Sequence, residues 1–121
     1  MGVETESCPT LHAALAAGGP IDVEVGGVAA DSLGARRVGE IGFEIASRFV
    51  DQVLLVSDAA VVDAQRWLWR NCKIAAEPGG VASLAALLSG AFVPGPGESI
   101  VVVICGANTD RLTIALDDES Q

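Results

Sequence analysis

The sequence predicts an α/β fold with a partial parallel sheet flanked by helices. Three observations lead there. Ile100 to Ile104 is an unbroken run dominated by β-branched residues, and Val53 to Val56 is a second apolar run. Continuous rather than alternating apolar runs suit strands covered on both faces, as in a parallel sheet. Between these runs lie segments with helical spacing and helix-start signals. The first run leads directly into Cys105-Gly-Ala-Asn-Thr-Asp110. A buried strand that ends in a thiol, a glycine and small polar residues is where an open α/β sheet places its ligands. From these residues alone, a core strand followed by an ordinary turn is the favoured reading.

The elements follow in order. Val3-Glu4 reads as the end of a strand. Ser7 or Cys8 precedes a helix with Pro9 at its first position, which runs through Leu11, Ala14 and Leu15 to Gly18-Gly19-Pro20. His12, the only histidine, lies on this Ala-rich helix. Two roles are open to it: a catalytic base, or a half-buried surface residue. Ile21 to Val25 alternates but is short, so it is a weak edge strand or an extended linker. Gly26 to Gly34 contains only small or slender residues and suits a tightly packed loop. Arg36 to Phe49 reads as a helix with Val38, Ile41, Ile45 and Phe49 on one stripe and Arg37, Glu40, Glu44 and Arg48 opposite.

Ser57 is placed to cap a helix with Asp58 in its first turn. That helix carries Val61, Val62, Gln65, Leu68 and Trp69 and ends near Asn71. Trp67 and Trp69 cannot share a face, so one is expected in the core and the other at an interface. Lys73 to Ala76 is a short extended piece. Glu77-Pro78 marks a boundary, because proline disfavours helix in the residue before it. Gly79-Gly80 opens a helix, Val81 to Ser89, that is apolar all round and therefore buried on most sides. Residues 117–121 form an acidic tail after a unit spanning residues 1–116. The helices have too little sheet to cover, which is the pattern of part of a larger domain.

Composition narrows the function classes. Half of the 121 residues are hydrophobic, which excludes disorder. The net charge of −9 argues against nucleic acids and anionic membrane surfaces as partners. The apolar runs are too short to span a bilayer. The first residues, Met1 to Glu6, are neither basic nor apolar enough for a secretory leader. Cys8, Cys72 and Cys105 are odd in number and lack metal-site spacing, so reduced thiols and a cytoplasmic location are expected.

Several motifs occur in a specific order: Ala29-Ala-Asp-Ser-Leu-Gly34, Val53-Leu-Leu-Val-Ser-Asp58, Glu77-Pro-Gly-Gly-Val-Ala-Ser-Leu-Ala-Ala-Leu-Leu-Ser-Gly90, and Val102-Val-Ile-Cys-Gly-Ala-Asn-Thr-Asp110. Together they resemble the C-terminal part of threonine/serine dehydratases, which are pyridoxal-phosphate enzymes of the tryptophan-synthase-β-like fold. The resemblance covers Val3 to Asp110. It implies that Cys105 faces the pyridine nitrogen of the cofactor, where other pyridoxal enzymes place an Asp or Arg. It also implies that Gly106, Ala107 and Asn108 continue the cofactor-ring wall. Ala29, Ala30, Asp31 and Glu77 would lie on the substrate side. Glu4, Cys8 and Thr10 match the family's cation loop; there Cys8 would offer only its carbonyl, and Thr10 replaces the usual Asp. Loss of that carboxylate weakens a hard-cation site.

The family's Schiff-base lysine and glycine-rich phosphate loop have no counterpart in these residues. Lys73 is the only lysine and matches no catalytic position. Gly79-Gly80 could bind an anion at the start of a helix, but the family uses its phosphate loop for that purpose. The resemblance thus implies a lyase that dehydrates a β-hydroxy amino acid to a 2-oxo acid only when completed by a lysine-bearing half. The alternative is a non-catalytic stand-alone remnant, an oligomeric module that binds a small ligand or a protein. An unrelated α/β binding module is a third reading. An open strand edge and bare apolar helix faces lead to the expectation of a homodimer or a complementary N-terminal half.

Overall fold

The structure, a computed structural model, describes residues 1–110 and Ile114; the acidic tail expected at 117–121 lies outside the described residues. Its frame is a parallel pair of strands, β1 (Gly2–Thr5) and β2 (Val53–Val56), with Val3 opposite Leu54 and Thr5 opposite Val56. Parallel strands need a crossover. Here it contains α1 (Thr10–Ala17), a one-turn helix α2 (Ala30–Leu33) and α3 (Glu40–Phe49). After β2 come α4 (Asp58–Cys72), a single 3-10 turn (Pro78–Val81) and α5 (Ala82–Leu88). The α/β architecture expected from the sequence is therefore present, with a small open parallel sheet and helices packed around it.

The helix ends follow their local chemistry. The Ser57 hydroxyl accepts from the Ala60 N–H at 3.2 Å, and α4 stops where Lys73 turns left-handed at φ 58°. The Glu4 carboxylate, reaching over from β1, accepts from the N–H groups of Leu11 and His12 at 2.9 and 2.8 Å. It thereby satisfies two of the orphan donors at the start of α1, and its charge suits that end of the helix. Pro9 takes the position before this helix rather than its first turn.

The core is built between α4, α5 and the inner face of the strands. Val56, Val61, Ala64, Leu68, Ala76, Val81, Ala85 and Ala86 form one buried cluster. Alanines at the α4–α5 contact let the two helices approach closely. The Gln65 amide, buried in this layer, donates to the Ala76 carbonyl at 2.8 Å and ties the chain after α4 back onto the helix.

Three further expectations are corrected. Ile100 to Ile104 is extended but is not a strand of the sheet: no described residue exchanges a backbone hydrogen bond with it. A β-branched run needs a neighbouring strand to become a ladder, and none lies beside it among the described residues. Ile21 to Val25 follows the linker alternative of its reading, outside any strand and held by the Val23 N–H on the Arg36 carbonyl at 2.9 Å. Helix α3 begins at Glu40 rather than Arg36, with Gly39 extended before it. Neither tryptophan joins the buried core. Leu68 lies between them on the helical wheel and takes the inward position, leaving Trp67 exposed and Trp69 half-buried.

The apolar stripe of α3 is also bare. Ile41 and Phe49 are 77% and 76% exposed, and only Ala46 of this helix is buried. Its amphipathic pattern is real, but no described element covers it.

Two substitutions test this packing. Leu68→Ala removes the largest side chain from the α4 side of the cluster and should cost about 2–5 kcal/mol. Ser57→Ala removes the cap of α4 and should cost about 1 kcal/mol. Urea unfolding followed by circular dichroism measures both, and the first should exceed the second.

Candidate active-site wall

The carboxyl ends of β1 and β2 point to the same side, and the loops that leave them build a cleft. Glu6 donates its N–H to the Val56 carbonyl at 2.9 Å, which carries the register one residue past the strands. Ser7 is thereby placed against the first turn of α4, where its hydroxyl donates to Asp58 Oδ1 at 2.7 Å. Asp58 Oδ2 accepts from the Val28 N–H at 3.3 Å, and the Ser7 carbonyl accepts from the Gly26 N–H at 2.9 Å. These bonds hold the loop that delivers Ala29, Ala30 and Asp31. Ala29 is fully buried, and its carbonyl accepts from the N–H groups of Ser32 and Leu33 at 3.0 and 2.7 Å.

The second half of the cleft is a clamp between residues 77–80 and 105–108. The Glu77 N–H donates to the Gly106 carbonyl at 3.0 Å, and the Cys105 N–H donates to the Gly80 carbonyl at 3.3 Å. Glu77 Oε2 also accepts from the Asn108 N–H at 3.2 Å. Two glycines make this approach possible. A Cβ on Gly80 would overlap the Cys105 carbonyl oxygen. Gly106 sits at φ 72°, and a Cβ there would overlap Glu77 Oε1. The halves join where the Gly79 N–H donates to the Ser32 hydroxyl at 2.9 Å. The N–H groups of Gly79 and Gly80, a possible anion site from the sequence, are thus engaged by Ser32 and by the Glu77 carbonyl.

The result is a cleft of about 250 Å³ lined by Val28, Asp31, Ser32, Glu77, Pro78, Asn108, Thr109 and Asp110. Of the residues singled out from the sequence, Asp31, Glu77 and Asn108 meet here. Cys105 and Gly106 lie at its edge through the backbone clamp, with Cys105 exposed, and Ala107 forms the turn that brings the Thr109 N–H back onto its carbonyl at 2.8 Å. Ala29 and Ala30 support the cleft from the loop behind Asp31. Ser32, Thr109 and Asp110 were missed by sequence reasoning. Ser32 and Asp110 belong to motifs already quoted, but nothing in their spacing tells which of their neighbours turns toward the cleft.

The three positions matched to a cation loop are elsewhere engaged. Glu4 caps α1 with both oxygens, the buried Cys8 thiol donates to the Gly26 carbonyl at 3.2 Å, and the Thr10 hydroxyl donates to the Ala35 carbonyl at 2.5 Å. Glu4 and Thr10 line a separate hollow of about 280 Å³. His12 is also outside the cleft: its Nδ1 lies 3.1 Å from the Val53 carbonyl, on the outer edge of β2. Lys73 is exposed at the end of α4, where its Nζ donates to the Arg70 carbonyl at 3.1 Å. All three cysteines are free thiols, and no helix among the described residues is long and apolar enough to cross a membrane.

The clamp makes a testable prediction. Gly106→Ala forces a side chain into a left-handed backbone and against Glu77, and should destabilise by about 1–3 kcal/mol. Glu77 cannot simply swing away, because that breaks its bond to Asn108. In a Glu77→Ala background only the backbone strain of about 1 kcal/mol should remain. A double-mutant cycle by chemical denaturation reads the coupling; strictly additive effects would show that the clamp is not formed.

The geometry can be set beside known proteins. A family described as "Pyridoxal-phosphate dependent enzyme" matches residues 1–106. The phenylserine dehydratase of Ralstonia pickettii is 35% identical over 115 residues, covering 95% of this chain and 35% of that protein. The L-threonine ammonia-lyase of Thermotoga maritima is 32% identical over 110 residues, covering 91% of this chain and 27% of that protein. Among solved structures, the threonine deaminase of T.th. superimposes with a TM-score of 0.80 at 33% identity, over 90% of this chain and 39% of that one. Maize serine racemase gives a TM-score of 0.81 at 30% identity, over 96% and 36%. The chain therefore spans about a third of the length of the relatives it matches. The ordered motifs, the parallel frame and the match over residues 1–106 lead to one conclusion: this chain belongs to the pyridoxal-phosphate dependent enzyme family, in the tryptophan-synthase-β-like fold of the threonine and serine dehydratases.

Proposed function

We propose that this chain forms the C-terminal wall of a dehydratase active site that removes water from a β-hydroxy amino acid and yields a 2-oxo acid and ammonia. The observation that carries this reading is the cleft in which Asp31, Ser32, Glu77 and Asn108 converge at the carboxyl ends of the strands. The relatives whose names include dehydratase or ammonia-lyase support the reaction class.

The cofactor itself sets a limit on what this chain does alone. Three carboxylates line the cleft, from Asp31, Glu77 and Asp110, and no lysine or arginine among the described residues does. The chain's single lysine, Lys73, is engaged at the far end of α4. These residues do not by themselves fit an aldehyde bearing a phosphate. They suit the wall beside it: Gly106 and Asn108 are held to Glu77 through their backbone, and Cys105 adjoins them. When bound, pyridoxal phosphate withdraws electrons from the α-carbon of the amino acid. In this reading Cys105 faces the ring nitrogen without holding a proton on it, and Ala29, Ala30, Asp31 and Glu77 bound the substrate side. A lysine-bearing segment completes the site.

The chain alone should release no 2-oxo acid from L-threonine or L-serine. Combined with the part of the Thermotoga maritima L-threonine ammonia-lyase that precedes its match to this chain, it should do so. In that complex Cys105→Ser should support dehydration, because a hydroxyl is as neutral as a thiol. Cys105→Asp should lower the rate by roughly tenfold or more, equivalent to about 1.4 kcal/mol of barrier. An Asp variant as active as the unaltered complex would sink the assignment of Cys105.

A further inference from the structure

We propose that the acidic segment Asp117-Asp118-Glu119 docks on a row of cations along the C-terminal half of α4, as a latch made within one chain. The proposal goes beyond the dehydratase reading and does not rest on it. The chain carries a net charge of −9, yet Arg66, Arg70 and Lys73 fall within one short stretch of it. They follow at i, i+4 and i+7, a spacing that puts side chains on one face of a helix. The structure keeps this row together past the end of α4. Lys73 turns left-handed at φ 58°, and its Nζ folds back to donate to the Arg70 carbonyl at 3.1 Å. Arg70 and Lys73 are exposed, and Arg66 is the half-buried inner end of the row.

The row begins where the segment is anchored. Ile114 is buried and shares with Gln65 and Arg66 a hollow of about 330 Å³. Asp117, Asp118 and Glu119 follow Ile114 within a few residues. At about 3.5 Å per extended residue, their backbone can reach roughly 10–17 Å from Ile114. At 1.5 Å of rise per residue, Arg70 lies about 6 Å and Lys73 about 10 Å beyond Arg66 along the helix axis. The three carboxylates are therefore within reach of all three cations.

Charge decides what fills the row. Like charges at these spacings repel one another, and three successive carboxylates match the three cations in number and sign. Arg66 meets Asp63 through Nη1 at 3.7 Å. A guanidinium carries five N–H donors in a planar fork, so it can hold a second carboxylate beside the first. An isolated exposed ion pair contributes little. Several pairs on one short tether reinforce each other, because the tether holds the acids at an effective concentration on the order of millimolar. That tether favours this chain's own segment over a free acidic peptide or a second copy. The hollow beside Arg66 and Ile114 shares Val28, Pro78 and Thr109 with the cleft. The docked segment thus braces one side of the cleft, and salt releases the brace.

The test treats the full 121-residue chain with a water-soluble carbodiimide, which condenses an amine and a carboxylate in contact with it into an amide. Lys73 is the only lysine, so peptide mapping by mass spectrometry identifies its partner directly. Amides from Lys73 to Asp117, Asp118 or Glu119 are expected within single chains. Their yield should fall by about fivefold or more in about 0.5 M sodium chloride, where screening acts over only a few ångströms. Arg70→Glu should lower the yield by a similar factor, and adding Asp118→Arg should restore the amide at Asp117 or Glu119. Arg48→Glu, on α3, should leave the yield unchanged. Thermal melts check that the variants fold, and recovery by the second substitution separates a lost contact from a lost fold. Absence of an amide between Lys73 and this segment overturns the proposal. So does a yield indifferent to salt or to Arg70→Glu. An amide found only in cross-linked dimers overturns it as well, since a second copy would then supply the carboxylate.

Discussion

The parallel register of β1 on β2 is the constraint from which the cleft follows. Aligning Thr5 with Val56 brings Ser7 level with Asp58 just beyond the strands. The Ser7–Asp58 hydrogen bond is charge-assisted and partly shielded from water, which places it among the stronger kinds. Asp58 then holds Val28, the loop delivers α2, Ser32 receives the Gly79 N–H, and Glu77 closes on Gly106 and Asn108. A slip of one residue in the register would turn every strand side chain to the opposite face and separate Ser7 from Asp58. Structure at the frame and chemistry at the cleft are thus two ends of one hydrogen-bonded chain.

The clamp itself relies on absence of bulk. Backbone meets backbone at Gly80 and Cys105, and backbone meets carboxylate at Gly106 and Glu77. This close approach draws Asp31, Glu77 and Asn108 together at one cleft. It also separates the wall from the groups that would perform covalent chemistry, none of which lines the cleft among the described residues.

The same frame explains the uneven finish of the surface. Small residues at the α4–α5 contact close the core on one side, with Ala64, Ala85 and Ala86 nearly inaccessible. The apolar stripe of α3 and the outward valines of 101–103 are left exposed at the same time.

Much of this was legible from residue order alone. Apolar runs located β2, Ser57-Asp58 located the start of α4, and Glu77-Pro78-Gly79-Gly80 located the break before α5, because these depend on side-chain pattern and backbone preference within a few residues. The ordered motifs also singled out Asp31, Glu77 and Asn108, three of the residues that line the cleft. The Ile100–Ile104 run shows where such reasoning stops: its composition made it a candidate strand, but a strand exists only when a neighbour accepts its hydrogen bonds. Trp67 and Trp69 show the same limit, since which face of α4 turns inward depended on Leu68 meeting α5. Ser32, Thr109 and Asp110 entered the cleft only because distant segments were brought together. By itself, then, the sequence determined the local elements and the glycines that permit close approach. Tertiary structure decided which edge stayed open, which helix face stayed bare and which polar groups converge, because pairing and burial are properties of two segments at once.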